Sequence, residues 1–328
     1  MRTRVLFILF FISAKILSAQ FDTNFVHITK NRFSVSPLFE FYKSSYRVKS
    51  NGEEQNELEE NIDKSFTSKN NLYLGFGLTF YRIGIAVTFQ LPYSNIPELK
   101  KMKSFSFVGG YSFKRLYGEL RYRNYKGLEE QTITYTEDSV LENTRIRQNI
   151  HFQQIGGALY YFTSKKYNYD ANFKNYNIQK KSAISPVFVS GLNYYELKGK
   201  FEDIDSVAII IDNFLKVFSF KLTGGLAGSI VYKSFYASMV SNIGIAVNRD
   251  RYIDSETDET SIKTFPSLEI RASFGYNSDK FFASVSYIYD NDLLYFYPYK
   301  IGINNYFMNF KLGYKFDSKY LGKAAKYL

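Results

Sequence analysis

The chain has 328 residues, with 30 Tyr and 32 Phe but neither Cys nor Trp. The missing Cys excludes disulfide frameworks, thiolate metal sites, Cys nucleophiles and the lipidated Cys of a lipoprotein anchor. Lys and Arg outnumber Asp and Glu by 42 to 31, a formal net charge of +11; because they are scattered rather than gathered in a basic helix or run, the expected counterpart is acidic lipid or a basic lumen, not nucleic acid.

Met1–Ala19 reads as a secretory signal that is cleaved. Arg2 and Arg4 supply the positive start, Val5–Ile12 the apolar run, and Ser18-Ala19 before Gln20 the small-residue site. A retained anchor needs about 20 apolar residues, and Lys15 interrupts this one too early. No later stretch is long and apolar enough to cross as a helix, and a membrane protein without such a helix must close its backbone hydrogen bonds in a barrel.

Residues 20–32 form a polar, periplasmic lead-in without a period. The first strand is expected over Phe33–Val48, with Val35, Phe39 and Phe41 on one face, Glu40 and Tyr42 on the other, and a bulge at Pro37. An acidic loop, Ser50–Asn70, follows. Leu72–Phe80 alternates large apolar residues with Tyr73, Gly75, Gly77 and Thr79, turns at Tyr81-Arg82, and returns as Ile83–Leu91 with Gly84, Ala86 and Thr88 on the second face. Pro92–Met102 is a medium loop. A second hairpin turns at Lys114-Arg115; its return strand places Glu119, Arg121 and Arg123 on one face and Leu116, Gly118, Leu120 and Tyr122 on the other.

Gly127–Gln148 reads as a long polar loop. Ile150–Thr163 and Ala183–Lys198 are strands joined by the Tyr- and Asn-rich Ser164–Ser182. After the loop Gly199–Asn213, a strand with Lys221 on its polar face turns at Tyr232-Lys233-Ser234 into Phe235–Val247. A loop over Asn248–Thr264 leads to a strand in which Glu269 and Arg271 oppose Leu268 and Ile270. An Asn277-Ser278-Asp279 turn leads to Phe281–Tyr289, and a loop around Asn291–Ile301 precedes the last strand. There Tyr306, Met308, Phe310, Leu312, Tyr314 and Phe316 alternate with a face carrying Lys311 and Lys315.

Six large apolar side chains on one face and two lysines on the other fit lipid outside and water inside. The expected fold is therefore all-β: an antiparallel outer-membrane barrel of about twelve strands over residues 33–316, monomeric, with a tail at 317–328. Loop lengths alternate long and short, as expected when tight turns face the periplasm. Ser164–Ser182 breaks the alternation. It is either a plug folded into the lumen or the mark of a hairpin missed in the count.

Several stretches carry a resemblance. They are Leu74-Gly75-Phe76-Gly77 to Pro92, the run Lys103–Gly127 ending Tyr122-Arg123-Asn124-Tyr125-Lys126-Gly127, Gln179-Lys180-Lys181-Ser182-Ala183, Phe274-Gly275-Tyr276-Asn277 and Gly313-Tyr314-Lys315-Phe316. In this order they resemble the secreted, barrel-like family catalogued as domain of unknown function 4421. The resemblance implies the barrel. It brings no activity, hence no catalytic residues. Asp317–Leu328 departs from barrels that end on an aromatic terminus, so insertion would need an internal signal or a tolerated tail.

Chemistry is sparse. His27 lies in the lead-in. His151, near the outer leaflet, could be oriented by Glu129, Glu130 or Glu142 as in a lipid-active enzyme, but no Ser sits in a nucleophile motif. Asp254, Glu256, Asp258 and Glu259 lack the Gly that turns a calcium loop. No catalytic, cofactor or metal residue is assigned, and no cofactor is expected. The informative set is the charge on the inner face: Glu40, Glu119, Arg121, Arg123, Lys221, Glu269, Arg271, Lys311 and Lys315. It closes a narrow lumen by ion pairing, or it lines a basic pore favouring anions; Glu40 could reach Lys311 or Lys315 where the last strand meets the first. Three roles follow: a passive pore for small solutes, a docking or structural component of a secretion or surface complex, and a lipid-active enzyme. The expected partners are outer-membrane lipid, the barrel-assembly machinery and a small solute or protein.

Overall fold

Alternation of lipid-facing and lumen-facing residues organises the whole chain, seen here in a computed structural model. The structure describes residues 21–29, 32–50, 61–68, 72–91, 103–135, 140–198, 214–253, 258–296 and 299–317. The signal at 1–19, the tail past Asp317 and the loops at 92–102 and 199–213 lie outside the described residues.

In chain order the strands are β1 (Val26–His27), β2 (Arg32–Ser50), β3 (Asn61–Thr67), β4 (Leu72–Phe80), β5 (Ile83–Gln90), β6 (Lys103–Phe113), β7 (Leu116–Tyr135) and β8 (Val140–Phe162). A single helical turn, Asp170–Lys174, precedes β9 (Ile178–Gln179). Then come β10 (Ala183–Lys198), β11 (Phe214–Tyr232), β12 (Phe235–Ile253), β13 (Asp258–Asn277), β14 (Phe281–Phe296) and β15 (Tyr299–Asp317). All pairings are antiparallel, and β15 pairs with β2 from Tyr299↔Ser50 to Asp317↔Arg32, which closes the sheet. Among the described residues, twelve strands circle the apolar band: β2, β4 to β8 and β10 to β15.

The ring is not uniform. The hairpin β5–β6 is short, and beyond its open end β3 pairs directly with β7, Thr67↔Glu129 to Asn61↔Tyr135. The outer end of the barrel is therefore a ring of ten strands. Outward residues such as Phe76, Leu120, Leu192, Leu222, Ile243, Phe274 and Met308 are exposed, as lipid contact requires. The tight turns fall where the sequence put them: Tyr81, Lys114 and Lys233 take positive φ of 51°, 53° and 56°.

Several loop boundaries need correction. Ser50–Asn70 contains β3. Gly127–Gln148 shrinks, because β7 runs to Tyr135 and β8 starts at Val140; Asn248–Thr264 and Asn291–Ile301 are likewise mostly strand. Strands that continue past the bilayer have no lipid to face and lose their apolar alternation, so they read as loops. At Gly127 a bulge adds to the disguise. Its φ of 89° and the register shift between Lys126 and Leu128 change the parity, so Tyr125 and Leu128 both point inward.

The lead-in is also more than a polar tail. β1 pairs with β9, and the Lys180 N–H donates to the Phe25 carbonyl at 2.7 Å, tying the N-terminal segment to the 164–182 turn across the barrel's inner end.

Candidate functional site: a lumen filled in three layers

The innermost layer is Ser164–Ser182, which folds up inside the barrel. Residues Asp170–Phe173 and Asn175–Asn177 are buried. Such a segment must satisfy its backbone polar groups without a ladder, and amides from the wall do so. The Asn277 amide donates to the carbonyls of Ala171 (3.0 Å) and Asn177 (2.8 Å). Asn175, left-handed at φ 60°, donates to the Tyr236 hydroxyl at 2.6 Å and accepts from Ser284 at 2.9 Å. Asp170 accepts from Ser112 at 2.5 Å and pairs with Lys174 at 3.1 Å. Lys311 donates to the Phe173 carbonyl at 3.0 Å. At the inner rim the Tyr176 hydroxyl donates to the Arg32 carbonyl at 2.5 Å, and burial pushes that hydroxyl up to about 12.

The middle layer is a charge lattice. Arg271, fully buried, donates to Glu119 at 3.0 and 3.3 Å and to Glu269 at 3.0 Å through both Nε and Nη2; it also reaches the Tyr169 hydroxyl at 2.6 Å and the Tyr160 hydroxyl. Arg121 pairs with Glu119 and, at 3.9 Å, with Glu269. Tyr117 donates to Glu119 at 2.8 Å, and Tyr160 to Glu269 at 2.9 Å. Lys221 pairs with Asp290 at 3.3 Å. Tyr169 belongs to the inner turn and stacks on Tyr117 with ring centres 4.1 Å apart, so the first two layers are joined.

The outer layer is aromatic. Tyr42 lies between Phe307 (4.3 Å) and Tyr125 (5.1 Å), and the stack continues through Phe152 to Tyr195. Leu128, Ile150, Leu215, Val217 and Ile303 pack on it. Arg123 links it to the lattice: its guanidinium lies 3.8 Å over the Phe307 ring and donates to Gln154 at 3.1 Å.

Glu119, Arg121, Glu269 and Arg271 thus meet in one lattice, with Lys221 beside it on Asp290. Arg123 lies above, and Glu40 and Lys311 to one side, on the cavity described below. Lys315 does not join Glu40; it donates to the Asn277 side chain at 2.7 Å and to the Ser278 carbonyl at 2.9 Å, because its strand position falls at the inner rim. Sequence reasoning missed Asp290 and the tyrosines 117, 160 and 169. The signal for Asp290 was present: counting by two from Phe282 through Ser284 and Ser286 puts it on the inner face.

His151 stands opposite Lys126 and Lys198 in the ladders, whereas Glu129 and Glu142 pair with Ile146 and Ile133. Of the acidic cluster, residues 254–257 lie outside the described residues, and among the described residues no group of three or more His, Asp or Glu could hold a metal ion.

The chain is similar to several solved structures. The outer membrane protease OmpT from Escherichia coli is 10% identical, with TM-score 0.37 over 90% of this chain and 100% of that one. The translocator domain of the autotransporter NalP from Neisseria meningitidis is 11% identical, with TM-score 0.37 over 88% and 90%. OprG from Pseudomonas aeruginosa is 13% identical, with TM-score 0.23 over 89% and 99%. No curated protein matches the sequence. Residues 20–316, the lead-in together with the barrel, match the family described as Domain of unknown function (DUF4421), and the chain belongs to that family.

Proposed function

We propose that this protein is a closed outer-membrane barrel acting as a docking or structural component, rather than a standing pore. One observation carries the reading: packed side chains cross the lumen at all three levels, in the inner turn, the Arg271 lattice and the aromatic stack. On the side away from the turn, the hairpins β2–β3, β7–β8, β12–β13 and β14–β15 continue beyond the apolar band, giving a platform for a partner. In this reading the chain is secreted by the signal at 1–19, inserted by the barrel-assembly machinery, surrounded by outer-membrane lipid, and monomeric. It has no catalytic step, so neither the parent nor His151→Ala is expected to hydrolyse outer-membrane lipid.

A second reading, passage of small solutes after withdrawal of the turn, is favoured by one feature. Side-chain hydrogen bonds, not ladder pairs with the wall, hold residues 170–177. Single-channel recording of the refolded mature chain separates the two. The intact barrel is expected to give no discrete steps; a chain with residues 166–179 replaced by a short Gly-containing turn is expected to stay closed on the first reading, because the lattice and the aromatic stack remain, and to give steps on the second. Anion-selective steps from the intact barrel, lost when Arg121 and Arg123 become Ala, would overturn the closed reading.

A further inference from the structure

Beside the lattice, the lumen keeps a cavity of about 140 Å³. Its wall is built from strands whose inward residues are small: Gly77, Gly84, Ala86 and Gly110. Facing them are apolar surfaces of Phe173 and Phe307. A cavity of about 150 Å³ lined by apolar side chains takes a benzene-sized molecule, so the space suits an apolar body of that size.

The charge around it is unbalanced by one. Glu119, Arg121 and Arg271 border the cavity but are committed to one another, and Lys174 is held by Asp170. Glu40, Arg123 and Lys311 remain, all lining the same space. Glu40 lies within the fields of both cations but can offset only one of them, and Asp290, which Arg123 also reaches electrostatically, is already taken by Lys221. Arg123 is 3% exposed, has no carboxylate within ion-pair distance among the described residues, and its Nε has no hydrogen-bond partner there. A guanidinium is charged at any accessible pH and presents its donors in a rigid fork suited to a carboxylate. The face of Arg123 lies on the Phe307 and Tyr42 rings and one in-plane donor goes to the neutral Gln154, which leaves the rest of the fork unused.

We propose that this cavity binds a small organic monoanion: a carboxylate on an apolar body of about benzene size, the carboxylate accepting from Arg123 and the body lying between the small-residue wall and the Phe173 and Phe307 rings. The site lies inside the barrel and does not depend on the docking reading.

The test is calorimetric titration of the refolded full-length mature barrel in detergent with benzoate, benzyl alcohol and inorganic phosphate. Benzoate is expected to bind saturably at one site. Benzyl alcohol, lacking the charge, and phosphate, lacking the apolar body, are each expected to bind at least about tenfold more weakly. Ala86→Leu on β5 and Val108→Phe on β6 each fill the space without touching a charge and should abolish binding; the heat-dependent gel shift reports which variants retain the barrel. Arg123→Met should remove the preference for benzoate over benzyl alcohol. Absence of saturable benzoate binding, equal binding of phosphate, or binding that survives filling in a folded barrel would overturn the proposal.

Discussion

At the scale of single residues, Arg271 decides most. A buried guanidinium is stable only where its donors are met, and here two carboxylates and two phenols meet them. Arg271→Met leaves Glu119 and Glu269 facing each other with one arginine between them. Removing one partner of a buried pair costs roughly 3–5 kcal/mol, and urea unfolding in detergent, followed by loss of the compact gel band, is expected to show a drop of that size. Replacing Glu119 by Gln in the same chain should recover part of it; a single mutant as stable as the parent would mean the lattice contributes nothing net. Another local device is Gly313 on β15. A Cβ there would lie 2.0 Å from the Phe282 ring, so the missing side chain is what lets that ring lie flat on the neighbouring strand. The inward charges were legible from period two alone. Their pairing was not, since which of nine charges meet depends on the shear of the closed barrel, and the shear puts Lys315 at the rim rather than beside Glu40.

At the scale of elements, the 164–182 turn was legible as an exception and not as a structure. Its length broke the alternation of loops, which left a plug or a missed hairpin, and its Tyr and Asn content has no period to decide between them. The partners that fix it, Asn277, Tyr236, Ser284 and Ser112, come from four different strands. Strands inside the bilayer were found because lipid enforces alternation; their outer continuations were missed because water does not. The docked turn has a pH signature. Burial pushes the docked Tyr176 hydroxyl up to about 12, against about 10 for a solvated tyrosine. A raised acid pKa favours the docked state fully below about 10, and that contribution is lost as the pH climbs through about 12. The difference in tyrosinate absorbance between the parent and Tyr176→Phe should accordingly have its midpoint near 12. A midpoint near 10 would show that the turn is not docked at the rim.

At the scale of the molecule, twelve strands were legible from counting, because each crossing needs its own apolar face. The narrowing to ten was not, since it depends on β3 pairing with β7 far along the chain. Closure itself joins Arg32 to Asp317 at 2.5 Å and stacks Phe33 on Phe316 with ring centres 4.9 Å apart. The Arg32–Asp317 contact spans 285 residues of sequence, the kind of long-range pairing that makes folding slow. Contacts made after the rate-limiting step affect the way out more than the way in. Phe33→Ala is therefore expected to speed unfolding while leaving the refolding rate nearly unchanged; slowed refolding would place the seam early.

The inner turn lies mid-chain, with strands of the finished ring both before and after it, and it is bonded to walls that arrive from both sides. Both strands of the seam hold it, Lys311 of β15 through the Phe173 carbonyl and Arg32 of β2 through the Tyr176 hydroxyl, so whatever parts the seam also loosens what lies inside, and the contents act as a clasp on the ring that encloses them.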